Sequence, residues 1–207
     1  IIFNGQGIEM ETIINSVSKK TAYLNGQGQK QSPSAKTKIA LGQAIPKGKN
    51  MDLIIEKATE LGANQIYPII SERTIIRLNQ RESIKKQEKW QRVAIEACKQ
   101  SGQNWLPKVN QPQKISSILD STFKKFDLIL IASLQDGAEH LKSILSKIGN
   151  KNLESVFLLI GPEGDLTPSE TNKIIEAGAK PMTLGPITLR SETAAIYAIS
   201  IIAHELF

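Results

Sequence analysis

Apolar and polar positions along the chain fall into two regimes. Over residues 10–17 and 21–24, apolar residues sit in short extended segments bounded by glycine-rich turns, the pattern of short strands. The tetrapeptide Asn-Gly-Gln-Gly stands at 4–7 and again at 25–28. Two copies are too few for a repeat architecture, and Asn-Gly is a hairpin signal, so both predict turns. About 30 residues of strand do not make a stable core on their own. Residues 1–27 therefore predict the later part of a small β domain. Residues 28–37 are polar, carry Pro33, and hold no apolar side chain larger than Ala35, which is linker composition. We place the division so that 1–34 form a partial β domain with its linker and 35–207 a second domain.

From Lys38 onward the pattern alternates between strand-length apolar runs and segments with three- and four-residue spacing, the signature of an α/β domain with a mainly parallel sheet. Asn50 is positioned to cap a helix in which Met51, Ile54, Ile55, Ala58 and Leu61 share one face, and Gly62 ends it. A buried strand follows at 66–70. A helix over 82–100 should bury Trp90, Val93, Ala94, Ala97 and Cys98, the cysteine as a core residue with no catalytic role. The remaining pattern predicts helix 115–123, strand 128–132, helix 141–148 and strand 156–160. Thr167-Pro-Ser-Glu170 joins a capping box to a proline at the first helical position, so a helix starts there and runs to Gly178. A short strand at 181–184, a loop at 185–190 and a closing helix at 192–206 complete the chain.

Composition narrows the function classes. With 207 residues and 40% hydrophobic content, the chain is long enough for a substantial core. Its longest apolar runs, 127–132 and 156–160, are strands, far short of the roughly 20 residues that span a bilayer. The opening Ile1-Ile-Phe-Asn-Gly5 has no initiator Met and no basic region, so it is not read as a signal peptide. We expect preceding residues to be missing. Cys98 is the one cysteine, and His140 and His204 do not form a metal-ligand pattern, so no metal is expected and a reducing, cytoplasmic setting is. The net charge of +6 favours a polyanionic partner, while 5% aromatic content argues against a base-stacking platform.

Two loops carry the candidate chemistry, Ile160-Gly-Pro-Glu-Gly164 and Leu184-Gly-Pro-Ile-Thr-Leu-Arg-Ser-Glu-Thr-Ala194. Each follows a buried strand, where open α/β sheets bind ligands. Glycines there let a ligand reach the backbone. Neither loop is a dinucleotide fingerprint or a P-loop, and either alone would be an ordinary Gly-Pro turn. They are joined, in order, by Lys57-Ala-Thr-Glu-Leu-Gly62, Pro68-Ile-Ile-Ser-Glu-Arg73 and Ala94-Ile-Glu-Ala-Cys-Lys-Gln-Ser101. This five-part series over residues 38–207 resembles the ribosomal RNA small-subunit methyltransferase E family, of the SPOUT class.

The resemblance implies a knotted α/β fold with a C-terminal trefoil knot, preceded by a partial PUA-like RNA-binding β domain, and a homodimer. It implies an S-adenosylmethionine-dependent enzyme that methylates N3 of a uridine in 16S ribosomal RNA. The implied cofactor contacts are Ser133, Ile160, Gly161, Glu163, Gly164, Leu184, Gly185, Ile187, Leu189 and Thr193. Methyl transfer to a ring nitrogen is an in-line displacement that depends on positioning, and the N3 proton must leave, so a base or a cation near the anion is required. Arg190 and Glu163 are the candidate catalytic residues, with Glu192 assigned to structure. For Glu163 the alternative is a carboxylate satisfying loop amides. For Arg190 it is an ion pair with Glu192. Lys47, Lys49, Arg73, Arg77 and Arg190 form the implied RNA-facing cations. The chain departs from the family pattern at Asp165, where a glycine is usual, at Ile187 and Thr188, where Arg and Ile are usual, and at Gln103, where Arg is usual. Two other readings remain open at this point: an RNA-binding ribosome-assembly factor with little catalysis, and a methyltransferase of the same class acting on another RNA or a ribose hydroxyl.

Overall fold

A computed structural model describes residues 1–74, 77–135, 137–149 and 153–207. The N-terminal strands β1 (Ile2–Phe3), β2 (Ile8–Val17) and β3 (Ala22–Gln31) form a three-stranded antiparallel sheet. The hairpin turn falls at Ser18–Thr21, closed by the Ser18 N–H to the Thr21 carbonyl at 2.8 Å. The first Asn-Gly-Gln-Gly is a turn, held by Asn4 Oδ1 accepting from the Gln6 and Ile8 amides. The second is not. Residues 25–28 lie inside β3, paired with β2 across a register shift at Glu11/Thr12. The bulge absorbs the extra residue that the glycines allow, so the pairing continues to Gln31, into the segment of linker composition. Ile13, Ile14, Val17, Tyr23 and Leu24 are exposed on this sheet.

The second unit comprises, in order, β4 (Lys38–Ala44), α1 (Asn50–Glu60), β5 (Ala63–Ile70), α2 (Gln80–Ser101), β6 (Lys108–Val109), β7 (Gln113–Lys114), α3 (Ile115–Ser121) and a 3-10 turn (Phe123–Lys125). Then follow β8 (Leu128–Ala132), β9 (Glu139–His140), α4 (Leu141–Ile148), β10 (Ser155–Ile160), α5 (Pro168–Glu176), β11 (Lys180–Thr183) and α6 (Ser191–Leu206). The sheet runs β6-β5-β4-β10-β8-β11-β9, with β7 also on β5, and its pairs are parallel. Parallel strands require crossovers, and helices therefore cover both faces. On one face Ile39, Leu41, Leu130, Val156, Leu158 and Ile160 pack against α1, α2, α4 and α6. On the other, Ala40, Tyr67, Ile131, Phe157 and Leu159 meet α3, α5 and the 3-10 turn.

Most predicted elements are present with ends shifted by one or two residues, but β5 begins at Ala63 instead of 66, β3 runs to Gln31 instead of 24, and the strands β1, β4, β6, β7 and β9 are given no range by the periodicity. Lys49, not Asn50, occupies the cap of α1, and it makes no side-chain cap bond. α2 begins earlier than its apolar spacing, because Asn79 and Glu82 close a capping box. The Thr167–Glu170 box of α5 is formed as read. Val93 is only partly buried, while Trp90, Ala94, Ala97 and Cys98 are core. The N-terminal sheet is stitched to the segment after α2. The Gly7 amide donates to the Asn104 carbonyl at 2.9 Å, and the Trp105 indole donates to the Pro33 carbonyl at 3.0 Å. Gly7 has a φ of +89°, and a Cβ there would stand 2.6 Å from the Trp105 ring, so the approach demands glycine. Among the described residues, no helix is long and apolar enough to cross a membrane.

Candidate active site

Strands β10, β8 and β11 are neighbours in the sheet, and the loops at their carboxyl ends converge on one cavity of about 290 Å³. That size lies just below the roughly 300–1,000 Å³ of small-molecule sites. After β8, the Ser133 amide is fixed on the Met182 carbonyl at 3.0 Å, which ties the first loop to β11. After β10, the Asp165 amide closes a turn on the Pro162 carbonyl at 2.9 Å. Asp165 sits at φ +60°, the left-handed region, and its Oδ1 accepts from the Leu166 amide at 2.8 Å. After β11, the Thr183 hydroxyl bridges the carbonyl and amide of Gly185, where φ is +134°. Short-side-chain hydrogen bonding of this kind fixes turns that glycine makes sterically possible.

Of the residues expected at a cofactor, Ser133, Ile160, Gly161, Glu163, Leu184, Gly185, Ile187 and Leu189 line the cavity. Gly164 does not, because the turn carries it to the opposite side of the loop, and Thr193 points away on the exposed face of α6. Sequence reasoning missed Asp165, Met182, Thr183 and Ser191 as lining residues. Asp165 and Thr183 directly flank the singled-out loops and Ser191 lies within the second, so adjacency was the available signal.

The charged groups divide around the loop after β10. Glu163 Oε1 accepts the Lys47 backbone amide at 3.0 Å, which joins this loop to the one after β4. Arg73 Nη1 donates to the Gly164 carbonyl at 2.6 Å. Together Lys47, Arg73, Glu163 and Gly164 border a second, smaller cavity of about 90 Å³. Lys49 and Arg77 are exposed and border neither cavity. Arg190 lies on the rim of the main cavity at the N-cap of α6 and gives no side-chain cap bond. Among the described residues it forms no ion pair, so the structural pairing with Glu192 is not made. Cys98 lies apart from the site, 1% exposed, and burial pushes its thiol up to about 11. His140 caps α4 through Nδ1 on the Lys142 amide at 3.2 Å.

A parallel α/β sheet with a ligand-sized cavity built by three strand-end loops, beside exposed cations, is the architecture of an RNA methyltransferase domain, and the family model of that description matches residues 33–203. The chain is 31% identical over 204 residues to ribosomal RNA small subunit methyltransferase E of Bacillus subtilis, covering 96% of this chain and 78% of that one. The corresponding Synechocystis protein is 30% identical, and the chain spans 64% of its length. Among solved structures, a Legionella pneumophila methyltransferase in complex with S-adenosylmethionine superposes with a TM-score of 0.88 at 32% identity, over 98% of this chain and 81% of that one. The Neisseria gonorrhoeae ribosomal RNA small subunit methyltransferase E, bound to S-adenosylmethionine, gives 0.84 at 30% identity, with 98% and 81% covered. This chain belongs to the ribosomal RNA small subunit methyltransferase E family.

Proposed function

We propose that this protein transfers a methyl group from S-adenosylmethionine to N3 of a uridine in 16S ribosomal RNA of the small subunit. The observation that carries the reading is the convergence of three loops on a single cavity whose lining matches the cofactor's chemistry. Ile160, Met182, Leu184 and Leu189 offer apolar walls for a purine ring. Gly161 and Gly185 leave backbone groups accessible for hydrogen bonds. Glu163 and Asp165 supply negative charge at the cavity, which suits a sulfonium and an ammonium. When bound, the cofactor supplies an electrophilic methyl group.

The chain's own residues then have two tasks. Arg190, on the rim, places the uracil and stabilises negative charge as N3 loses its proton. Glu163 holds the loop by its bond to Lys47, and its second oxygen, without a hydrogen-bond partner among the described residues, is the one available to accept that proton. Lys47 and Arg73, beside Glu163, face the RNA backbone. We place Lys49 and Arg77 at the margin of that surface.

The resemblance further supports a homodimer, a trefoil knot, a PUA-like origin for the N-terminal sheet and a cytoplasmic setting, and three features favour the first three. Ile187, on the cavity, and Tyr197, on α6, are exposed apolar side chains, as a subunit contact requires. β11 lies toward one edge of the sheet, yet α6 returns to pack on α1, β4 and β10, with Ser191 directly under Gly161, which is consistent with threading. The exposed apolar residues of β2 and β3 suit a sheet that continues.

The test is transfer of a labelled methyl group from S-adenosylmethionine to small ribosomal subunits lacking N3-methyluridine, with the product base identified by mass spectrometry. Label at one uridine N3 is the expected result. Cofactor binding without transfer would mean another RNA substrate, and no cofactor binding would replace the enzyme by an RNA-binding assembly factor.

A further inference from the structure

At the end of β4 lies a polar side chain for which the proposed chemistry has no use. Gln43 is fully buried. Its amide nitrogen donates to the Ala44 carbonyl at 2.9 Å and to Ser191 Oγ at 2.8 Å, and the Ser191 hydroxyl donates in turn to the Gly161 carbonyl at 2.8 Å. These partners fix the orientation of the amide. A carbonyl can only accept, and the Ser191 proton is committed to Gly161, so exchanging the amide oxygen and nitrogen would set acceptor against acceptor. Oε1 is therefore left buried without a hydrogen-bond partner. An unpaired buried oxygen costs stability, so the two bonds made by the amide nitrogen are what its placement secures.

What Gln43 does accomplish is to join three chain segments at the root of the site: the end of β4, the first residue of α6, and Gly161, which opens the loop after β10. Ser191 and Gly161 both line the main cavity, whereas Gln43 stands behind them. The loop's other ties, from the Lys47 amide to Glu163 and from Arg73 to the Gly164 carbonyl, are exposed to competition from water. The bond from Gln43 to Ser191 is buried, where a hydrogen bond is stronger and more directional.

We propose that Gln43, acting through Ser191, is a positioning residue for the cofactor loop: this relay sets the Gly161 carbonyl and with it the wall that residues 161–165 present to S-adenosylmethionine. The inference rests on the cofactor reading given above.

The experiment is calorimetric titration of the full chain with S-adenosylmethionine, together with backbone amide exchange over residues 161–166. Gln43→Leu and Ser191→Ala should each raise the Kd about five- to ten-fold, the range of one lost hydrogen bond. Because both break one relay, the double variant should be no weaker than the weaker single. Ser191→Thr, which keeps the hydroxyl, should stay within about two-fold of the parent. Exchange should quicken in 161–166 and not elsewhere. Folded single variants that bind within about two-fold of the parent overturn the proposal. So does weaker binding accompanied by faster exchange throughout the domain, which would make Gln43 a plain core residue. If Gln43→Leu does not fold, Ser191→Ala decides. A parent chain that binds no S-adenosylmethionine sinks the cofactor reading, and loop exchange alone then decides whether the relay exists.

Discussion

Replacing Arg190 by Ala separates a catalytic role from a structural one, because its position is unfavourable for stability. The residue sits at the N-cap of the 16-residue α6, makes no cap bond and is exposed. A cation at this end opposes the helix dipole, at a cost of about 0.3–1 kcal/mol. Its removal should therefore leave the fold unharmed or raise the melting temperature by about 1–3 °C in a chain of this size. The rate should move the other way. Loss of one donor aimed at developing negative charge lowers turnover by about 10²–10³, or roughly 2.7–4 kcal/mol of barrier. Arg190→Lys should recover only part of that, since an ammonium keeps the charge but not the planar fork. The assay is single-turnover methyl transfer to small subunits, with S-adenosylmethionine affinity and thermal unfolding measured on the same preparations. Turnover within two-fold of the parent would refute the role, as would a fall in cofactor affinity equal to the fall in rate.

Three further outcomes follow from the packing. Phe157 is fully buried, with ring centroids 5.2–5.5 Å from Tyr67, Phe123 and Phe126, so Phe157→Ala should cost about 3–5 kcal/mol in urea unfolding. Asp165→Ala keeps the left-handed backbone but loses the bond to the Leu166 amide and should cost about 1–2 kcal/mol, whereas Asp165→Gly relaxes the backbone and should stay within about 0.5 kcal/mol of the parent. The Cys98 thiol, pushed up to about 11 by burial, should react with a disulfide reagent at pH 8 about 100-fold more slowly in the folded chain than in the unfolded one. The unfolded thiol ionises first, so this group's contribution to stability is full below about pH 8.5 and is lost as pH rises toward 11, a slope that Cys98→Ala should remove.

Where neighbours in sequence determine the outcome, the amino-acid pattern was enough. The three- and four-residue spacing from Met51 to Leu61, the capping box of Thr167 and Glu170, and the strand-length runs at 128–132 and 156–160 each specify an element through contacts within a few residues. The Gly-Pro loops were recognisable as special because of their residue types. The resemblance to a known family rested on five such local pieces.

What the tertiary structure decided is everything that depends on which strand lies beside which. The alternation of Phe157 and Leu158 announces a strand buried on both faces, but only the order β4-β10-β8-β11 shows that three loops share a cavity. Asn-Gly-Gln-Gly at 25–28 has the local preference for a turn, and pairing with β2 across a bulge overrode it. Glu163 and Gly164 are adjacent in the chain and both border the smaller cavity, yet only Glu163 also reaches the main one, a division made by the tight turn that carries them. Gln43 and Ser191 are 148 residues apart. Periodicity reports which side chains leave water but not which distant groups meet, because hydrogen bonds between separate segments are set by the closed fold, and the buried relay beneath Gly161 exists only there.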